Sequence, residues 1–395
     1  MKRLIAILSA FLIGISSIGC AAVKNNFDDY ATNKGYETGA DSSGASGSKS
    51  SNKTLSKDKI KIGVLYISDP SEGSGYSYTH DLGIKGMQKN LGLKDSQIER
   101  EITPDDDNDA IRASIKKCID NGCNIIFTTS WGYMNMTEEM AKEYPDVYFA
   151  HGTGYKSNGS NFTNYFGRIY QVRYLSGIAA GLNTKSNKIG YVAAMGSDNS
   201  EVTGGIDAFA IGVESVNPKA EIYVKVTNSW YDPDAEDAAA KTLLQMGCDV
   251  MSQHCDTPYP IEEAAKEGAY GIGYNSDMSK EAKDTVLTSV IWNWSAYYTS
   301  YVNSIIKGTY DGSNYYGGLK DGVVGITKIA SFANDKTGPA VKKAESEILK
   351  GKCNVFDGEL KTNTGETVGS SGSTLDDATI TGKLNWYYHN VTVVD

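Results

Sequence analysis

The sequence predicts an α/β protein made of two doubly wound parallel-sheet lobes joined by a hinge. Two observations carry this prediction. Strand-like and helix-like segments alternate with short loops, which is typical of βαβ units. The alternation also occurs twice, over residues 61–167 and 188–274, and both halves open alike, with DKIKIGVLY and then SNKIGYVAA. Because ligands favour clefts between lobes, we expect the binding site there.

The first residues are predicted to be removed from the folded protein. Residues 1–19 have a charged start at Lys2 and Arg3, an apolar stretch and small residues before Cys20. This is the pattern of a signal peptide. A bacterial signal that ends in cysteine resembles a lipoprotein signal, which predicts lipidation of Cys20; an ordinary secretory signal is the alternative. Either way the sequence predicts export.

Residues 20–57 are expected to form a flexible tether behind the lipidated cysteine. Residues 39–53 are rich in Gly and Ser and offer almost nothing to bury, so they should behave as a coil. The remaining chain is long enough for two domains. The predicted lobes alternate along the sequence: lobe 1 comprises 58–170 plus about 276–316, and lobe 2 comprises 171–275 plus about 317–395. Three crossings between them are predicted, at 168–177, 275–278 and roughly 315–325.

The predicted elements follow from local pattern. Segments rich in β-branched and aromatic residues predict strands at 62–67, 125–129, 147–151, 188–193, 222–226, 249–252, 271–274 and 285–290. Segments with a 3.6-residue apolar period predict helices from Tyr76 onward and at 106–121, 135–142, 170–182, 202–216, 234–246, 261–267, 294–307 and 335–349. The polar stretch 358–373 predicts a surface hairpin or loop, and the aromatic stretch 384–388 should pack on one lobe.

Charge and motif content exclude several function classes. The net charge of −10 and the pI near 5.1 argue against nucleic acid as a partner. The sequence lacks the HExxH and CxxC motifs of metal sites, the GxxxxGK[ST] motif of phosphate-binding loops and the GxSxG motif of α/β-hydrolases. The acidic run 105–109 lacks the Gly and Glu of a calcium loop. We therefore expect no metal, no cofactor, no catalytic residues and no enzymatic activity.

The cysteines after Cys20 are odd in number: Cys118, Cys123, Cys248, Cys255 and Cys353. A chain with a core of this size does not need disulfides, although export permits them. We expect mostly free thiols, with Cys118 and Cys123 the best candidates for a pair because they flank a helix end.

The ligand site is predicted first from residues 61–87. A buried strand runs through a Gly/Ser-rich loop into a helix start, which is a common ligand-binding geometry in α/β proteins. This helix start carries Tyr76, Tyr78 and His80 where a nucleotide-binding fold would place glycines. The sequence therefore predicts a flat ligand.

Further rings and carboxylates follow the ends of other predicted strands. In parallel sheets these loops share one edge, so their side chains should converge on the cleft. The residues are Trp131, Tyr155, Trp230, His254, Asp256, Asp277, Trp292 and Asn293.

From about residue 60 to its end, the chain is similar to the basic membrane protein family of lipoproteins. The segments that carry the resemblance are GYSYTHDLG, TTSWGYM, YFGRIYQVRYLSGIAAG, NKIGYVAA, NSWYDP, QHCDTP, GYNSDMS and TSVIWNW. These lipoproteins are substrate-binding components of ABC importers and include purine nucleoside receptors. The resemblance implies the type I periplasmic-binding architecture, and the segments look most like the branch associated with purine nucleobases, adenine in particular.

The resemblance also implies roles for individual residues. The ring that stacks on one purine face falls on Tyr78, and the second stacking ring falls on Trp230. The carboxylate of the D-x-D turn falls on Asp277, with Asn275 in place of the first Asp. The ribose-contacting Lys of relatives falls on Trp292, which implies less room and polarity for a sugar.

The expected protein is therefore a lipid-anchored, extracytoplasmic monomer that captures an adenine-like nucleobase and delivers it to an ABC permease. Two alternatives remain open. The ligand could be a purine nucleoside, or the protein could be a sensing receptor for another small metabolite.

Overall fold

The computed structural model describes residues 54–395 and contains two sheets of parallel strands, as the sequence predicts. The first sheet has the strand order β11-β5-β4-β3-β1-β2, and all of its pairs are parallel. Its strands are β1 (Ile62–Tyr66), β2 (Ile98–Ile102), β3 (Ile125–Thr128), β4 (Tyr148–Gly152), β5 (Phe162–Gly167) and β11 (Tyr315–Gly317).

The second sheet repeats this arrangement. Its order is β12-β10-β9-β8-β6-β7-β15, and only β12 runs antiparallel to its neighbour. Its strands are β6 (Lys188–Ala193), β7 (Glu221–Val226), β8 (Val250–His254), β9 (Tyr270–Asn275), β10 (Val286–Trp292), β12 (Val324–Ile326) and β15 (Val391–Val394). The first five strands of each half share the order 2-1-3-4-5, so both sheets place a topological switch point, where ligands bind, beside their first strand.

Helices cover these sheets. They are α1 (Gly75–Leu91), α2 (Asn108–Asp120), α3 (Met134–Glu143), α4 (Ile169–Asn183), α5 (Ser200–Glu214), α6 (Pro233–Gln245), α7 (Tyr259–Lys266), α8 (Trp294–Lys307), α9 (Thr337–Leu349) and α10 (Asp377–Gly382). The backbones of α4 and α5 approach closely at glycines. A methyl group added at Gly177 would lie 2.1 Å from the carbonyl oxygen of Phe209, so this contact requires glycine.

The chain crosses between the two sheets three times. The crossings at Arg168 and between β11 and β12 lie where the sequence predicts them. The predicted crossing at 275–278 is wrong, because β10 follows β9 in the same second sheet. The chain leaves that sheet at Asn293 and enters α8, which packs against α1 of the first half. Residues 276–292 therefore belong to the second lobe.

The C-terminal part bears out its two predictions. Residues Asp357–Lys361 (β13) and Thr367–Thr374 (β14) form an antiparallel hairpin. The aromatic stretch packs on the second lobe, where the backbone N–H of Tyr388 donates to Asp207 Oδ1 at 2.8 Å.

Two further predictions concern the first residues of the chain and its cysteines. The predicted signal peptide, Cys20 and nearly all of the predicted tether lie outside the described residues. The five other cysteines are free of disulfides, as predicted. Within residues 54–395, no helix is both long enough and apolar enough to cross a bilayer.

Candidate functional site

The carboxyl ends of the two sheets meet at the start of α1. A methyl group added at Gly75 would lie 3.1 Å from the carbonyl oxygen of Asp256, which follows β8 of the second sheet. Gly75 has φ +82°, a conformation that favours glycine. The helix start of the first lobe therefore touches the loop after β8, and the predicted site residues lie around this contact.

The wall from the first lobe is built on one face of α1. Tyr76 and His80 are four residues apart and so share that face. The Tyr76 hydroxyl donates to the carbonyl oxygen of Thr129 at 2.5 Å. His80 Nδ1 lies 2.6 Å from the Tyr298 hydroxyl, and burial lowers the pKa of His80 well below its usual value. A neutral imidazole at this position can donate or accept through Nε2 according to its tautomer.

Three flat side chains stack behind this wall. The His80 ring lies on Trp294 at 4.6 Å and 10°, and Trp294 lies on Trp292 at 4.5 Å and 10°. Trp292 Nε1 donates to the Tyr274 hydroxyl at 3.3 Å. The stack therefore joins a helix of the first lobe to strands of the second.

The wall from the second lobe contains rings and a buried cation. His254 contacts both Tyr274, at 4.7 Å, and Trp230, at 5.8 Å, edge to face. The guanidinium of Arg173 lies 4.2 Å from the centre of the Tyr274 ring, and its Nη1 donates to the carbonyl oxygen of Gln253 at 2.7 Å. Arg173 has no exposed surface, which is rare for a charged residue without a charged partner.

Two carboxyl groups flank this wall. Asp256 Oδ1 accepts from Asn275 Nδ2 at 2.7 Å, and burial raises the pKa of Asp256 to about 7. Glu201 Oε1 lies 3.7 Å from His254 Nε2. Burial raises the pKa of Glu201 to about 7, although the positive charge of Arg173 acts to lower it. Burial lowers the pKa of His254, with Arg173 adding to the effect. Near neutral pH, the carboxyl groups of Asp256 and Glu201 can therefore each be either protonated or ionised.

Several buried polar atoms of these walls have no hydrogen-bond partner. Buried polar groups are almost always paired, so unpaired ones need an explanation. They come from both lobes and belong to residues joined by the contacts above: His80 Nε2, Trp294 Nε1, Arg173 Nε and Nη2, His254 Nε2 and Asn275 Oδ1. Donors and acceptors left unpaired beside stacked rings form a surface suited to a flat molecule with a polar edge.

Not all predicted site residues join this cluster. Tyr78 lies half-buried on another face of α1, and none of the described ring contacts includes it. Trp131 and Tyr155 contact each other at 5.8 Å and are 56% and 67% exposed, so they lie at the rim of the first sheet's carboxyl edge. Asn293 Nδ2 donates to the carbonyl oxygen of Gly322 at 2.9 Å and so braces a crossing.

Asp277 also lies apart from the cluster. Its Oδ1 accepts from the backbone N–H of Ser279 at 3.0 Å, as in an Asx turn. It lines a hollow of about 310 Å³ beside Thr327 and Lys283, on the flank of the second sheet. The structure therefore brings Asn275, and not Asp277, next to Asp256.

Sequence reasoning left Arg173, Glu201 and Tyr274 out of the predicted site. One signal was present for Arg173. It is a charged residue inside the apolar stretch IYQVRYLSGIAAG, and a buried charge usually has a functional or structural partner. Glu201 and Tyr274 carry no comparable signal, because they are ordinary residues of a helix start and a strand.

Comparison with known proteins identifies relatives that are named as substrate-binding or ligand-binding proteins. The family model for PnrA-like ABC transporter substrate-binding proteins matches residues 59–357 of this chain. The chain is 37% identical over 337 residues to a purine-binding protein of Brucella abortus, covering 85% of this chain and 93% of that one. It is 31% identical to a putative ABC transporter glucose-binding protein of Haloferax volcanii, covering 76% and 75%.

Solved structures show the same fold. An ABC transporter solute-binding protein of Aeropyrum pernix superposes with a TM-score of 0.63 at 17% identity, covering 81% of this chain and 95% of that one. A solute-binding protein of Conexibacter woesei gives 0.62 at 20% identity, covering 75% and 98%. At these identities the likeness concerns the fold.

Proposed function

This chain belongs to the PnrA-like family of ABC transporter substrate-binding proteins, and we propose that the substrate it captures is a purine nucleobase such as adenine. Proteins of this class bind small molecules and work with membrane permeases. The observation that carries the proposal is the set of unpaired buried polar atoms beside the stacked rings of His80, Trp294 and Trp292.

The ring contacts support a flat ligand. Base stacking on an aromatic side chain contributes roughly 1–3 kcal/mol per base. Trp230 is half-buried and touches His254 edge to face, and none of the described ring contacts stacks on its face. Tyr78 and Trp230 stay our predicted pair for the two purine faces, with Tyr76 and His80 as alternative first-lobe partners because they lie in the observed wall.

The polar atoms support a ligand with both donors and acceptors on its edge. Arg173 and the Trp294 indole N–H can only donate, whereas Asn275 Oδ1 can only accept. The carboxyls of Glu201 and Asp256 can do either, because their pKa values near 7 allow both protonation states. Adenine offers ring nitrogens as acceptors and an amine and ring N–H as donors, so it can satisfy groups of both kinds.

The preference for a base over a nucleoside rests on Trp292. The resemblance to the basic membrane protein family implies that the ribose-contacting Lys of relatives falls on this position. In this chain the position holds an indole that is 5% exposed and stacked on Trp294. It offers one N–H, and that donor already bonds to Tyr274.

Calorimetry of refolded, ligand-free protein tests the proposal. Adenine should bind more tightly than adenosine, hypoxanthine or glucose. Trp230→Ala should weaken adenine binding about 5- to 150-fold, the equivalent of 1–3 kcal/mol. Trp386→Ala, a half-buried tryptophan outside the site, is the matched control and should leave affinity unchanged. Adenosine binding tenfold tighter than adenine would refute the nucleobase assignment, and glucose as the best ligand would refute the purine class.

We further propose that the protein is held at the extracytoplasmic face of the membrane by lipid on Cys20, as a monomer. Support comes from the sequence before residue 21, where a charged start and an apolar stretch precede the cysteine. Cys20→Ala should move the protein from the membrane fraction to the soluble fraction. Unchanged processing and membrane retention of Cys20→Ala would contradict the anchor.

A further inference from the structure

A second group of ligand-type side chains lies on the first lobe, at the edge of its sheet and away from the cleft. It combines two thiols at the end of α2 with two carboxylates on the edge strand β2. We call it the thiol–carboxylate cluster, and its members are Glu99, Glu101, Cys118 and Cys123. Neither the family assignment nor the ligand site uses these residues.

The thiols are brought together by the way α2 ends. The backbone N–H of Cys123 donates to the carbonyl oxygen of Cys118 at 2.9 Å, and that of Gly122 donates to Ile119 at 2.8 Å. With Gly122 at φ +92°, this is a Schellman motif, in which the side chains at the two ends of the longer bond meet. Cys118 is fully buried and Cys123 is 3% exposed, so the backbone holds the two sulfurs side by side.

The carboxylates reach the thiols because of strand periodicity. Glu99 and Glu101 are two residues apart on β2 and therefore share one face of the sheet. One ligand atom from each of Glu99, Glu101 and Cys118 lies within 4.8 Å of the others. Cys123 Sγ lies 3.8 Å from Glu99 Oε2. Atoms separated by up to 4.8 Å can contact a single ion at about 2.0–2.3 Å after small side-chain rotations.

The charges around the cluster suit a divalent ion. Two thiolates and two carboxylates carry four negative charges, and a divalent cation supplies two positive ones. Lys61 Nζ lies 3.2 Å from Glu99 Oε2, and Lys117 Nζ lies 2.7 Å from Glu101 Oε1. The two lysines supply the remaining positive charges, so the loaded cluster would be neutral overall. Asn121 Nδ2 also donates to Glu99 Oε1 at 2.6 Å and so orients this carboxylate.

We propose that the thiol–carboxylate cluster binds a thiophilic divalent cation such as Zn²⁺. Two thiolates and two carboxylate oxygens form a donor set that zinc accepts in tetrahedral sites. Each thiol gives its proton to water when the ion binds, so affinity rises with pH. Because the cluster joins the end of α2 to β2, the ion would fasten an edge strand that is otherwise held on one side only.

Titration of the full chain with Zn²⁺ and Cd²⁺ under reducing conditions tests this proposal. One Cd²⁺ per chain should produce the ultraviolet absorbance of cadmium–thiolate bonds, and Zn²⁺ should displace it. Cys118→Ser should abolish the band, and Glu99→Gln should weaken binding about tenfold or more. Cys353→Ser removes a half-buried thiol far from the cluster and should leave binding unchanged.

Two measurements keep the test independent of folding defects. Each variant is first melted without metal to establish that it is folded, and Zn²⁺ should raise the melting temperature of the parent chain and of Cys353→Ser but not of Cys118→Ser. Glu101→Gln alters only a partly exposed side chain and serves where Cys118→Ser does not fold. Equal Cd²⁺ absorbance in the parent and in Cys118→Ser, or equal Cd²⁺ affinity in the parent and in Glu101→Gln, overturns the proposal. So does a mass two daltons lower that persists when the purified chain is stored with Zn²⁺, since the thiols would then form a disulfide.

Discussion

The indole rings of Trp292 and Trp294 stack with centres 4.5 Å apart and planes 10° apart, on either side of the residue where the chain leaves the second sheet for the first lobe. Trp292 ends a strand of the second sheet, whereas Trp294 begins a helix packed on α1. This stack therefore spans one of the three crossings between the lobes.

Replacement of Trp292 tests how much the stack stabilises the protein. Trp292→Ala removes the ring and leaves a cavity, so the free energy of unfolding should fall by about 3–5 kcal/mol. Trp292→Phe retains a ring on Trp294 but loses the N–H that bonds to Tyr274, and it should cost less than Trp292→Ala. Urea denaturation measures both. Equal losses for the two variants would show that the stack contributes nothing beyond the hydrogen bond.

The carboxyl of Asp256 should make stability depend on pH. Burial raises its pKa in the folded protein to about 7, above the value near 3.9 of an unfolded chain. A raised pKa means that the protonated group is favoured in the folded state, so stability should fall as pH rises from about 4 to 7 and then level off.

Asp256→Asn keeps an oxygen that can accept from Asn275 but cannot ionise. Its unfolding free energy should match that of the parent near pH 3 and exceed it increasingly up to pH 7, by roughly 1.4 kcal/mol per pH unit at most. Urea denaturation at several pH values, in ligand-free protein, gives the comparison. A constant difference across this range would mean that Asp256 is not the titrating group.

Gly83 permits the close approach of α1 and α8. A methyl group there would lie 2.4 Å from Trp294 Cβ and 3.0 Å from the Trp294 carbonyl carbon. Gly83→Ala should therefore destabilise the protein by about 1–3 kcal/mol through overpacking. Gly338→Ala is the control, because nothing lies within 4 Å of its added methyl group. That substitution should be neutral or stabilise by up to about 1 kcal/mol. Thermal melting separates the two, and a similar loss in both variants would contradict the packing argument.

Arg168 ties together two of the crossings. Its Nη2 donates to Asp377 Oδ2 at 2.5 Å, and its Nη1 donates to the carbonyl oxygen of Tyr316. Arg168→Gln should change stability by less than about 1 kcal/mol because the pair is partly exposed. We expect the ligand-free lobes to move apart more readily, which raises the radius of gyration in small-angle scattering.

Arg112→Gln is the matched control for this experiment. Arg112 also bonds to two carboxylates, Glu139 and Glu143, but both lie within the first lobe. Its scattering should equal that of the parent. Saturation with adenine should contract the parent chain, since a ligand that contacts both lobes favours closure. If Arg168→Gln and Arg112→Gln expand to the same degree, Arg168 does not specifically hold the two lobes together.

Periodicity was sufficient to predict most of the central strands and nearly all helices, because buried parallel strands are continuous apolar runs. It missed the interior strand β5, whose sequence FTNYFG is interrupted by polar residues, and the short strand β15. It also missed β2, since IEREI is an edge strand with three consecutive charged residues between two isoleucines. It also missed the three-residue strands β11 and β12, which are too short to show a period. The crossing at Asn293 was not predicted because local sequence patterns do not show that β10 pairs with β9.

The site was predictable where its residues follow strand ends. His254 and Asp256 lie where the sheet edge was expected to gather them. Arg173 was not predicted because it comes from a helix packed under the sheet and reaches the site from within the core. The choice between Asn275 and Asp277 depends on where the turn after β9 bends, and Asn275 has φ +68°, which sequence alone does not show.

The order of strands also has a consequence for how the chain reaches this structure. The first sheet is finished by β11 at residues 315–317, and the second by β15 at residues 391–394. During synthesis, the N-terminal half must wait for about 150 further residues before its last strand exists. Contacts between residues so distant in sequence slow folding.

The last strand pairs with β7 along its whole length, from Val391 against Ile222 to Val394 against Lys225. Val391 and its partner Ile222 are also distant in sequence, so the second sheet, like the first, depends on long-range pairing that slows folding. Each half of the protein therefore needs a strand from a distant part of the chain before its sheet is complete.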